Sequence, residues 1–336
     1  MAKRIGARTL RFDRPPVILG HAAAVGKKEN DGPLAGSFDV IAQDAHLGEK
    51  SWELAESALQ KQAIETACAK ASCKVGQMDM ILAGDLLNQC IGSAFASVES
   101  NVPYVGLYGA CSTMAEGLAL GAALIDGGAA DTLLAAASSH FCSAERQYRF
   151  PLAYGGQRPP TAQWTATAAG AAVLGRTGSG VRVTHAAFGQ MVDMGVKDAN
   201  NMGAAMAPAA YDTLTALLRD TDTQPCDYDG IFTGDLADVG GDLLVTLFRR
   251  DGVDVTPVYS DCGSMLYGDD QDTHAGGSGC GCSAAVLCGR LLRDLHAGKL
   301  KRIIFAGTGA LMSPTSIQQG QSIAGVCHAV VLEGGK

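Results

Sequence analysis

The feature that most constrains the fold of this chain is an internal repeat. Residues 81–85 (Ile-Leu-Ala-Gly-Asp) match residues 231–235 (Ile-Phe-Thr-Gly-Asp) at an offset of 150 residues. Residues 109–113, which precede a helical stretch and an apolar run, match residues 279–283 at an offset of 170. The second half therefore has about twenty extra residues between its motifs, around residues 267–279. Because both motifs recur in the same order, we expect two copies of one supersecondary unit rather than a coincidence.

Short apolar runs alternate with longer segments of helical period. This alternation is typical of an α/β protein in which helices cover a mainly parallel sheet. The turn at residues 175–180 predicts an N-terminal half, residues 1–178, that carries Cys111, and a C-terminal half, residues 179–336, with a glycine-rich loop at 267–283. Strands are predicted at residues 80–83, 102–108, 131–137, 181–188, 230–233, 257–260 and 302–306. Helices are predicted at residues 52–70, 112–126, 211–219, 240–250 and 283–296.

The composition limits what the chain can bind. Its 336 residues carry a formal net charge of −8, and wholesale nucleic-acid binding is excluded because phosphates require a basic face. The eleven cysteines are an odd, scattered set, which indicates reduced intracellular thiols rather than a disulfide framework. No uncharged apolar run reaches the roughly 18 residues of a membrane-spanning helix, so we expect no transmembrane segment.

The first 16 residues are basic. They contain Lys3, Arg4, Arg8, Arg11 and Arg14 but lack the apolar h-region of a signal peptide after them, so the segment is not predicted to be one. We expect an exposed arm or an edge strand. Contact of these positive charges with anionic lipid or with a partner is the alternative.

Cys111 lies where a predicted strand ends and a predicted helix begins. Thr113 and Glu116 have the spacing of a capping box, so the helix is expected to start within a residue or two of Cys111. Unpaired backbone N–H groups and the positive end of the helix dipole would then lower the pKa of this thiol and favour a carboxylate or oxyanion beside it. Cys111 and Ser112 are therefore candidate ligand-binding residues. A small buried structural cysteine is the alternative.

Three longer motifs carry a resemblance to known proteins. They are residues 108–113 (Tyr-Gly-Ala-Cys-Ser-Thr), residues 150–164 and residues 272–283. The chain resembles the thiolase superfamily, in which a reactive cysteine lies at such an elbow between two duplicated βαβαβ halves. That resemblance implies a thiolase-like fold with five layers, α-β-α-β-α. The three motifs more narrowly resemble the stage V sporulation protein AD family of spore-forming bacteria.

The resemblance to this family implies a function, partners and a location. It implies binding of dipicolinic acid (pyridine-2,6-dicarboxylate), alone or as its calcium chelate, for uptake into the forespore. It implies other proteins of the spore dipicolinate-transport membrane assembly as partners, a homodimer, and a peripheral position on the cytoplasmic face of the spore or forespore inner membrane. It implies no cofactor.

Condensing enzymes of the superfamily pair the cysteine with two polar partners from the second half, commonly His and Asn or two His. The corresponding positions here hold Gly234-Asp235 and Gly281. Loss of such groups typically costs orders of magnitude in rate, so we expect a non-catalytic pocket. The alternative is an acyl-transfer enzyme with Cys111 as nucleophile and His274 or Asp235 as an unusual partner. In the binding hypothesis, Asp235 and His274 are pocket residues.

The glycine-rich run at residues 276–281 is predicted to let backbone amides approach a ligand from the side opposite the reactive elbow. Gly277, Ser278 and Gly281 are therefore candidate ligand-binding residues, and a tight structural turn between the halves is the alternative. The nearby ligand types Cys262, His274, Cys280 and Cys282 lack the spacing of zinc knuckles, so no metal site is expected.

A group of arginines and aromatic residues follows the strand beyond Cys111. Guanidinium groups that grip carboxylates, with a ring stacked on the pyridine, would suit a planar dicarboxylate, although any single arginine could be a solvated charge. Arg158 is the strongest candidate, because Gly155-Gly156 and Pro159-Pro160 flank it. The other members of the group are Arg146, Arg149, Tyr148, Phe150, Tyr154 and Trp164.

Overall fold

The computed structural model describes residues 2–148 and 158–335 of the chain. The strands in these residues are β1 (Lys3–Ile5), β2 (Thr9–Arg11), β3 (Val17–Val25), β4 (Val40–Ile41), β5 (Met80–Gly84), β6 (Tyr104–Gly106), β7 (Thr132–Ser139), β8 (Trp164–Thr165), β9 (Ala168–Gly175), β10 (Val181–Ala187), β11 (Gly230–Thr233), β12 (Tyr259–Asp261), β13 (Gly277–Ser278), β14 (Arg302–Leu311) and β15 (Ala324–Glu333). The helices are α1 (Lys27–Asn30), α2 (Trp52–Lys70), α3 (Ile91–Ser97), α4 (Thr113–Asp126), α5 (Phe141–Tyr148), α6 (Met202–Thr221), α7 (Ala237–Arg250), α8 (Cys262–Leu266), α9 (Cys280–Val286), α10 (Leu292–His296) and α11 (Pro314–Gln318).

The strand order repeats. The main sheet runs in the order β12-β11-β14-β15-β10-β3-β9-β7-β5-β6. This order consists of two sets of five strands, which are β3, β5, β6, β7 and β9 in the first half and β10, β11, β12, β14 and β15 in the second. When the strands of each set are numbered one to five in chain order, both sets have the spatial order 3-2-4-5-1 from the outer edge to the centre of the sheet. The pairings also correspond, since β5 and β11 lie parallel to their neighbours while β9 and β15 lie antiparallel to theirs. The two repeated sequence motifs therefore belong to two copies of the same strand topology.

The helices form layers around the two sets of strands. Helix α2 packs on β3, β7 and β9, while α6 packs on β14 and β15 and is covered by α7. Helices α4 and α9 lie between the two sets, and α4 contacts β7 and β9 as well as β14 and β15. Small buried residues such as Ala115, Ala119 and Ala284 let this central layer approach both sheets. The result is the expected α-β-α-β-α arrangement.

The expectation of a mainly parallel sheet is wrong, because the sheet is mixed. Strands β3, β9 and β15 were not predicted, and both β9 and β15 run antiparallel to their neighbours. Every residue of β9 (Ala-Ala-Gly-Ala-Ala-Val-Leu-Gly) is buried, so this strand has no polar alternation that would identify it. Helix α6 begins at Met202 rather than at residue 211, and it includes Pro208.

Candidate functional site

Cys111 lies in a tight elbow between β6 and α4. Residues Ala110–Ser112 form a single 3₁₀ turn directly before the helix, and Ala110 has a φ of +50°, which is costly for a residue with a side chain. The side chain of Cys111 is buried, with 6% of its surface exposed. The thiol is therefore held at a strained turn where a helix begins, as the sequence predicts.

The predicted capping box at this helix start is wrong. The Thr113 hydroxyl donates to the Ala110 carbonyl at 2.6 Å, and the Ser112 hydroxyl donates to the Gly109 carbonyl at 2.6 Å. The tight turn places both carbonyls within reach of these hydroxyls. The partly buried Glu116 carboxyl instead accepts from the Gly109 backbone N–H, and burial raises its pKa. Ser112, a predicted ligand contact, is thus fully buried with its hydroxyl turned toward the chain itself.

The Cys111 thiol is surrounded by groups that keep it protonated. It interacts with the Cys280 thiol, whose Sγ donates to the Ala110 carbonyl at 2.9 Å, and with the Asp235 carboxyl. The contact with Cys280 raises the pKa of Cys111 well above its ordinary value, and burial and Asp235 raise it further. The prediction of a lowered pKa is therefore wrong, because burial and a nearby carboxyl outweigh the helix start.

Asp235 joins the second half of the chain to the elbow. Its Oδ2 accepts the Gly279 backbone N–H at 2.9 Å, and its Oδ1 accepts the Thr308 hydroxyl at 2.8 Å. Burial raises the pKa of Asp235 to about 7, although hydrogen bonds from Cys111, Gly279 and Thr308 oppose the rise. The predicted contact between Asp235 and Cys111 is therefore present, as a hydrogen bond between the carboxyl and the thiol.

A cavity of about 470 Å³ opens at the elbow. This volume lies in the range of small-molecule sites, and the wall combines apolar side chains with a few polar groups. Its described lining residues are Asp85, Leu86, Leu87, Asn88, Gln89, Cys90, Tyr108, Ala110, Cys111, Ala144, Glu145, Tyr148, Thr165, Ala199, Asn200, Met202, Ser278, Ala310, Leu311 and Met312. Both halves of the chain contribute to this wall.

Amides and carboxyls supply the polar groups of the cavity. The side-chain amides of Asn88, Gln89 and Asn200 have no hydrogen-bond partner among the described residues and can contact a ligand. Asp85 and Glu145 are buried carboxyl groups in the same wall. The wall of the cavity therefore combines side-chain amides with carboxyl groups.

Asp85 belongs to a buried acidic cluster that the sequence analysis missed. It accepts the backbone N–H groups of Leu87 at 2.8 Å and Ser93 at 2.7 Å. The carboxyl of Glu56 lies close by, since a methyl group added at Gly92 would be 3.2 Å from Asp85 Oδ2 and 3.5 Å from Glu56 Cδ. Burial and the charge of Asp85 raise the pKa of Glu56 to about 8.

Backbone strain is concentrated around this cavity. Three lining residues that are not glycine, Gln89, Cys90 and Ala110, have φ values of +62°, +50° and +50°. Each costs of order 1–3 kcal/mol, and such residues persist where the surrounding structure holds them, often at functional sites. The strain supports the cavity as the functional site of the chain.

The predicted glycine contacts are packing residues. A methyl group at Gly281 would lie 2.0 Å from the Ala168 carbonyl oxygen, and the Gly281 amide donates to Ser139 Oγ at 3.1 Å. A methyl group at Gly277 would lie 2.9 Å from Tyr267 Cε2. The expectation that this run presents amides to a ligand is therefore corrected, because its close contacts are with the protein. Ser278 alone of these candidates lines the cavity.

His274 and Arg158 lie elsewhere. His274 lines a separate cavity of about 350 Å³, where its Nε2 is 3.6 Å from Asp272 Oδ1, so the structure does not bring it to Cys111. Arg158 donates to the Asp272 carbonyl at 2.7 Å, and its guanidinium carbon is 4.6 Å from the centre of the Trp164 ring. These contacts hold the loop around Asp272 rather than the Cys111 cavity.

The remaining aromatic and basic candidates divide between two places. Phe141 stacks on Trp164 at 3.8 Å between ring centres, and the Lys28 ammonium lies 4.1 Å from the Trp164 ring centre, so Trp164 already has ring and cation partners. Arg146 forms an ion pair with Glu53. Tyr148 lines the cavity, and its hydroxyl donates to the Leu86 carbonyl at 2.6 Å. The candidates Arg149, Phe150 and Tyr154 lie outside the described residues.

Comparisons with known proteins identify relatives over nearly the full length. The family model for stage V sporulation protein AD matches residues 6–333. The stage V sporulation protein AD of Bacillus subtilis (strain 168) is 42% identical over 331 residues, which cover 98% of each chain.

Solved structures of condensing enzymes share the fold. The tetronic acid condensing enzyme AbyA1 has a TM-score of 0.61 at 18% identity, over 95% of this chain and 100% of that one. The 3-oxoacyl-[acyl-carrier-protein] synthase III of Aquifex aeolicus VF5 has a TM-score of 0.56 at 15% identity, over 95% and 99%. OleA of Xanthomonas campestris with cerulenin has a TM-score of 0.58 at 17% identity, over 98% and 97%. The chain therefore belongs to the stage V sporulation protein AD family and has the thiolase-like fold.

Proposed function

We propose that this sporulation protein binds dipicolinic acid in the Cys111 cavity, without catalysis, for uptake into the forespore. The observation that carries the proposal is the state of the thiol. The Cys280 thiol, burial and Asp235 raise the pKa of the buried Cys111 thiol, whereas a working nucleophile is activated by a lowered pKa or by a base that is deprotonated, and burial raises the pKa of Asp235 to about 7. A pocket that keeps the elbow but disfavours the thiolate is suited to binding.

The shape and polarity of the cavity fit a small planar diacid. Tyr108 and Tyr148 supply aromatic surface for a pyridine ring, which gains from offset or edge-to-face ring contacts. The free amides of Asn88, Gln89 and Asn200 supply N–H donors for carboxylate oxygens. These two kinds of contact are what a heteroaromatic dicarboxylate requires.

The carboxyls in the cavity favour the calcium chelate as the bound form. Asp85 lines the wall, and a bare dianion would meet the negative charge of this carboxylate in a region partly removed from water. The chelate of one calcium ion with one dipicolinate carries no net charge, so this repulsion is largely removed. We therefore expect the chelate to bind more tightly than free dipicolinate.

Isothermal titration calorimetry tests the proposal. The purified chain is titrated with dipicolinate plus calcium, with dipicolinate plus a calcium chelator, and with the 3,5-dicarboxylate isomer as a shape control. Binding of the first ligand is expected to weaken in Asn88→Ala and Asn200→Ala but not in Gln43→Ala, whose amide is outside the cavity. Absence of heat at millimolar dipicolinate, with or without calcium, would refute it.

An acyl-transfer enzyme is the second candidate function, because the fold is that of condensing enzymes and Cys111 lies at a strained elbow. In that reaction the Cys111 sulfur would take the acyl group of an acyl-CoA, and the thiol proton would pass to the departing coenzyme A sulfur. Intact-mass measurement after incubation with acyl-CoA donors separates the two functions. No adduct is expected, and an acyl mass on the Cys111 peptide would favour the enzyme.

We further propose a homodimer that docks on the spore dipicolinate-transport assembly at the membrane. No helix in residues 2–148 and 158–335 has the length and apolar character to cross a bilayer. Strand β6 is at the edge of the sheet, and the neighbouring side chains Phe95, Val98, Val105 and Tyr108 are exposed. Unpaired strand edges with apolar neighbours favour pairing with another copy. Light scattering of wild type and Val105→Asp tests this, with a monomeric variant expected.

A further inference from the structure

The first strands of the chain form a positively charged hairpin. Among the described strands, β1 pairs with β2 alone, and β2 joins the sheet through β10. Residues 1–14 contain five Lys and Arg and one carboxylate, whereas the other 322 residues contain 21 Lys and Arg and 33 carboxylates. The hairpin and the turn that follows it therefore oppose the charge of the remaining protein.

The hairpin is rigidly mounted. The carboxyl of Asp220, near the end of α6, accepts the backbone N–H groups of Ala7 and Arg8 and the hydroxyl of Thr9, at 3.2, 3.3 and 3.0 Å. The Arg8 guanidinium also forms an ion pair with Asp212 at 2.6 Å. The hairpin is therefore a fixed part of the surface and keeps its charges in one arrangement.

Three of its cations are available to another molecule. Lys3 pairs with Asp13 at 3.6 Å and Arg8 is paired with α6, but Arg4, Arg11 and Arg14 are exposed and form no ion pair within the described part of the chain. These three exposed guanidinium groups lie within eleven residues, on both faces of the hairpin and just beyond it, and they make this edge of the sheet cationic.

A neighbouring histidine responds to this positive charge. His185 lies opposite Arg11 in the pairing of β10 with β2. Its pKa falls to about 4, first because it is buried and then because Arg302 and Arg11 are close by. This imidazole is therefore uncharged at neutral pH and adds no charge to the hairpin.

We propose that the sheet edge formed by the β1–β2 hairpin and the residues that follow it, with Arg4 on one face of the hairpin, Arg11 on the other and Arg14 beyond it, binds the headgroups of anionic lipids. The inference rests on the proposed peripheral membrane location and names the surface that would meet the bilayer. Phosphate oxygens are strong acceptors for guanidinium groups, and each basic residue near an anionic leaflet is attracted to it.

The composition of the patch favours lipid over a protein partner. The exposed large hydrophobic side chains of the described residues begin at Ile41, so none lies in the hairpin, whose Leu10 packs against the core. Protein interfaces are enriched in aromatic residues and depleted of charge at their centre, whereas attraction to headgroups needs only charge. Charged edge strands also prevent sheet-to-sheet association, and that role alone would give no lipid binding.

Vesicle flotation provides the test. The full chain is mixed with phosphatidylcholine vesicles that contain about one part in four phosphatidylglycerol, and with pure phosphatidylcholine vesicles. We expect binding only to the anionic vesicles and a loss with added salt. The triple variant Arg4→Gln/Arg11→Gln/Arg14→Gln should bind about a hundredfold more weakly, since each arginine near the surface contributes roughly fivefold.

A charge-matched control makes the result specific. Lys50→Gln/Lys197→Gln/Arg249→Gln removes three exposed cations from other surfaces and should retain anionic-vesicle binding. Equal loss in both variants, no loss in either, or no binding by wild type would overturn the proposal. The hairpin variant should keep the wild-type melting temperature and its calorimetric binding of the calcium chelate. Loss of vesicle binding with ligand binding retained separates this surface from the cavity.

Discussion

Replacement of Glu56 by Gln is the perturbation that most directly tests the acidic cluster beside the cavity. Burial and the charge of Asp85 raise the pKa of Glu56 from 4.5 to about 8 in the folded chain. The hydroxyls of Ser138 and Ser143 donate to the Glu56 carboxyl at 3.2 and 2.8 Å, which lowers the pKa but does not offset burial. The folded protein therefore holds a proton at pH 7 that the unfolded chain has lost.

The sign and size of the effect follow from this difference. A raised pKa in the folded state stabilises fully below about pH 4.5, and the contribution is lost as the pH rises through about 8. The rise corresponds to ~5 kcal/mol of free energy of unfolding. Gln has no proton to lose. As the pH rises from about 4.5 to about 8, the free energy of unfolding of Glu56→Gln should therefore increase relative to that of wild type by up to this amount.

Urea denaturation across this pH range measures the effect. The free energy of unfolding of wild type should fall toward pH 8 more steeply than that of Glu56→Gln, with unchanged dependence on urea concentration. Glu65→Gln, an exposed position on the same helix, is the control and should follow wild type. A difference between Glu56→Gln and wild type that is constant with pH would refute the raised pKa of Glu56.

Three further predictions follow from the described contacts. Gly281→Ala should lower the free energy of unfolding by about 3 kcal/mol, because its methyl group would lie 2.0 Å from the Ala168 carbonyl oxygen. Gly76→Ala is the control, because its methyl group would have its nearest contact at 3.6 Å, and it should not lower this free energy. Equal urea midpoints for the two variants would contradict the prediction. Cys111 should be alkylated by iodoacetamide more slowly than the exposed Cys226 at neutral pH, as read by peptide mass spectrometry, and comparable rates would show that the thiol is activated. Arg158→Gln should leave calorimetric binding of the chelate unchanged, because the guanidinium holds the Asp272 carbonyl outside the cavity; abolished binding would return Arg158 to the ligand site.

Local chemistry made some elements readable from the sequence. Helix α2 was predicted at its observed bounds, because Ser51 caps it by accepting the Leu54 N–H, and its apolar residues recur at helical spacing. Strand β11 was likewise predicted at its observed bounds. Strand β9 was missed because alanine and glycine have low strand propensity, and its continuous burial removes alternation.

The candidate site was only partly readable for a different reason. Cys111 was located by its elbow, but the direction of its pKa depends on Cys280 and Asp235, which are distant in sequence. The cluster of Glu56 and Asp85 joins separate elements, so no local pattern reveals it. One available signal was overlooked, since the Gly-Asp motif that identified the repeat ends in Asp85 in one copy and in Asp235 in the other.

The repeated topology gives the described part of the chain two strand-to-helix elbows, one before α4 and one before α9, and the cavity lies at the first of them. Cys111 faces a cavity, whereas its counterpart at the start of α9 is closed by the packing of Gly281 on Ala168 and Ser139. The Cys280 thiol beside this closed elbow contacts Cys111, so the two copies share a backbone topology but differ in what their elbows contact. Substitutions at the closed elbow should therefore act on the open one, although no ligand touches them.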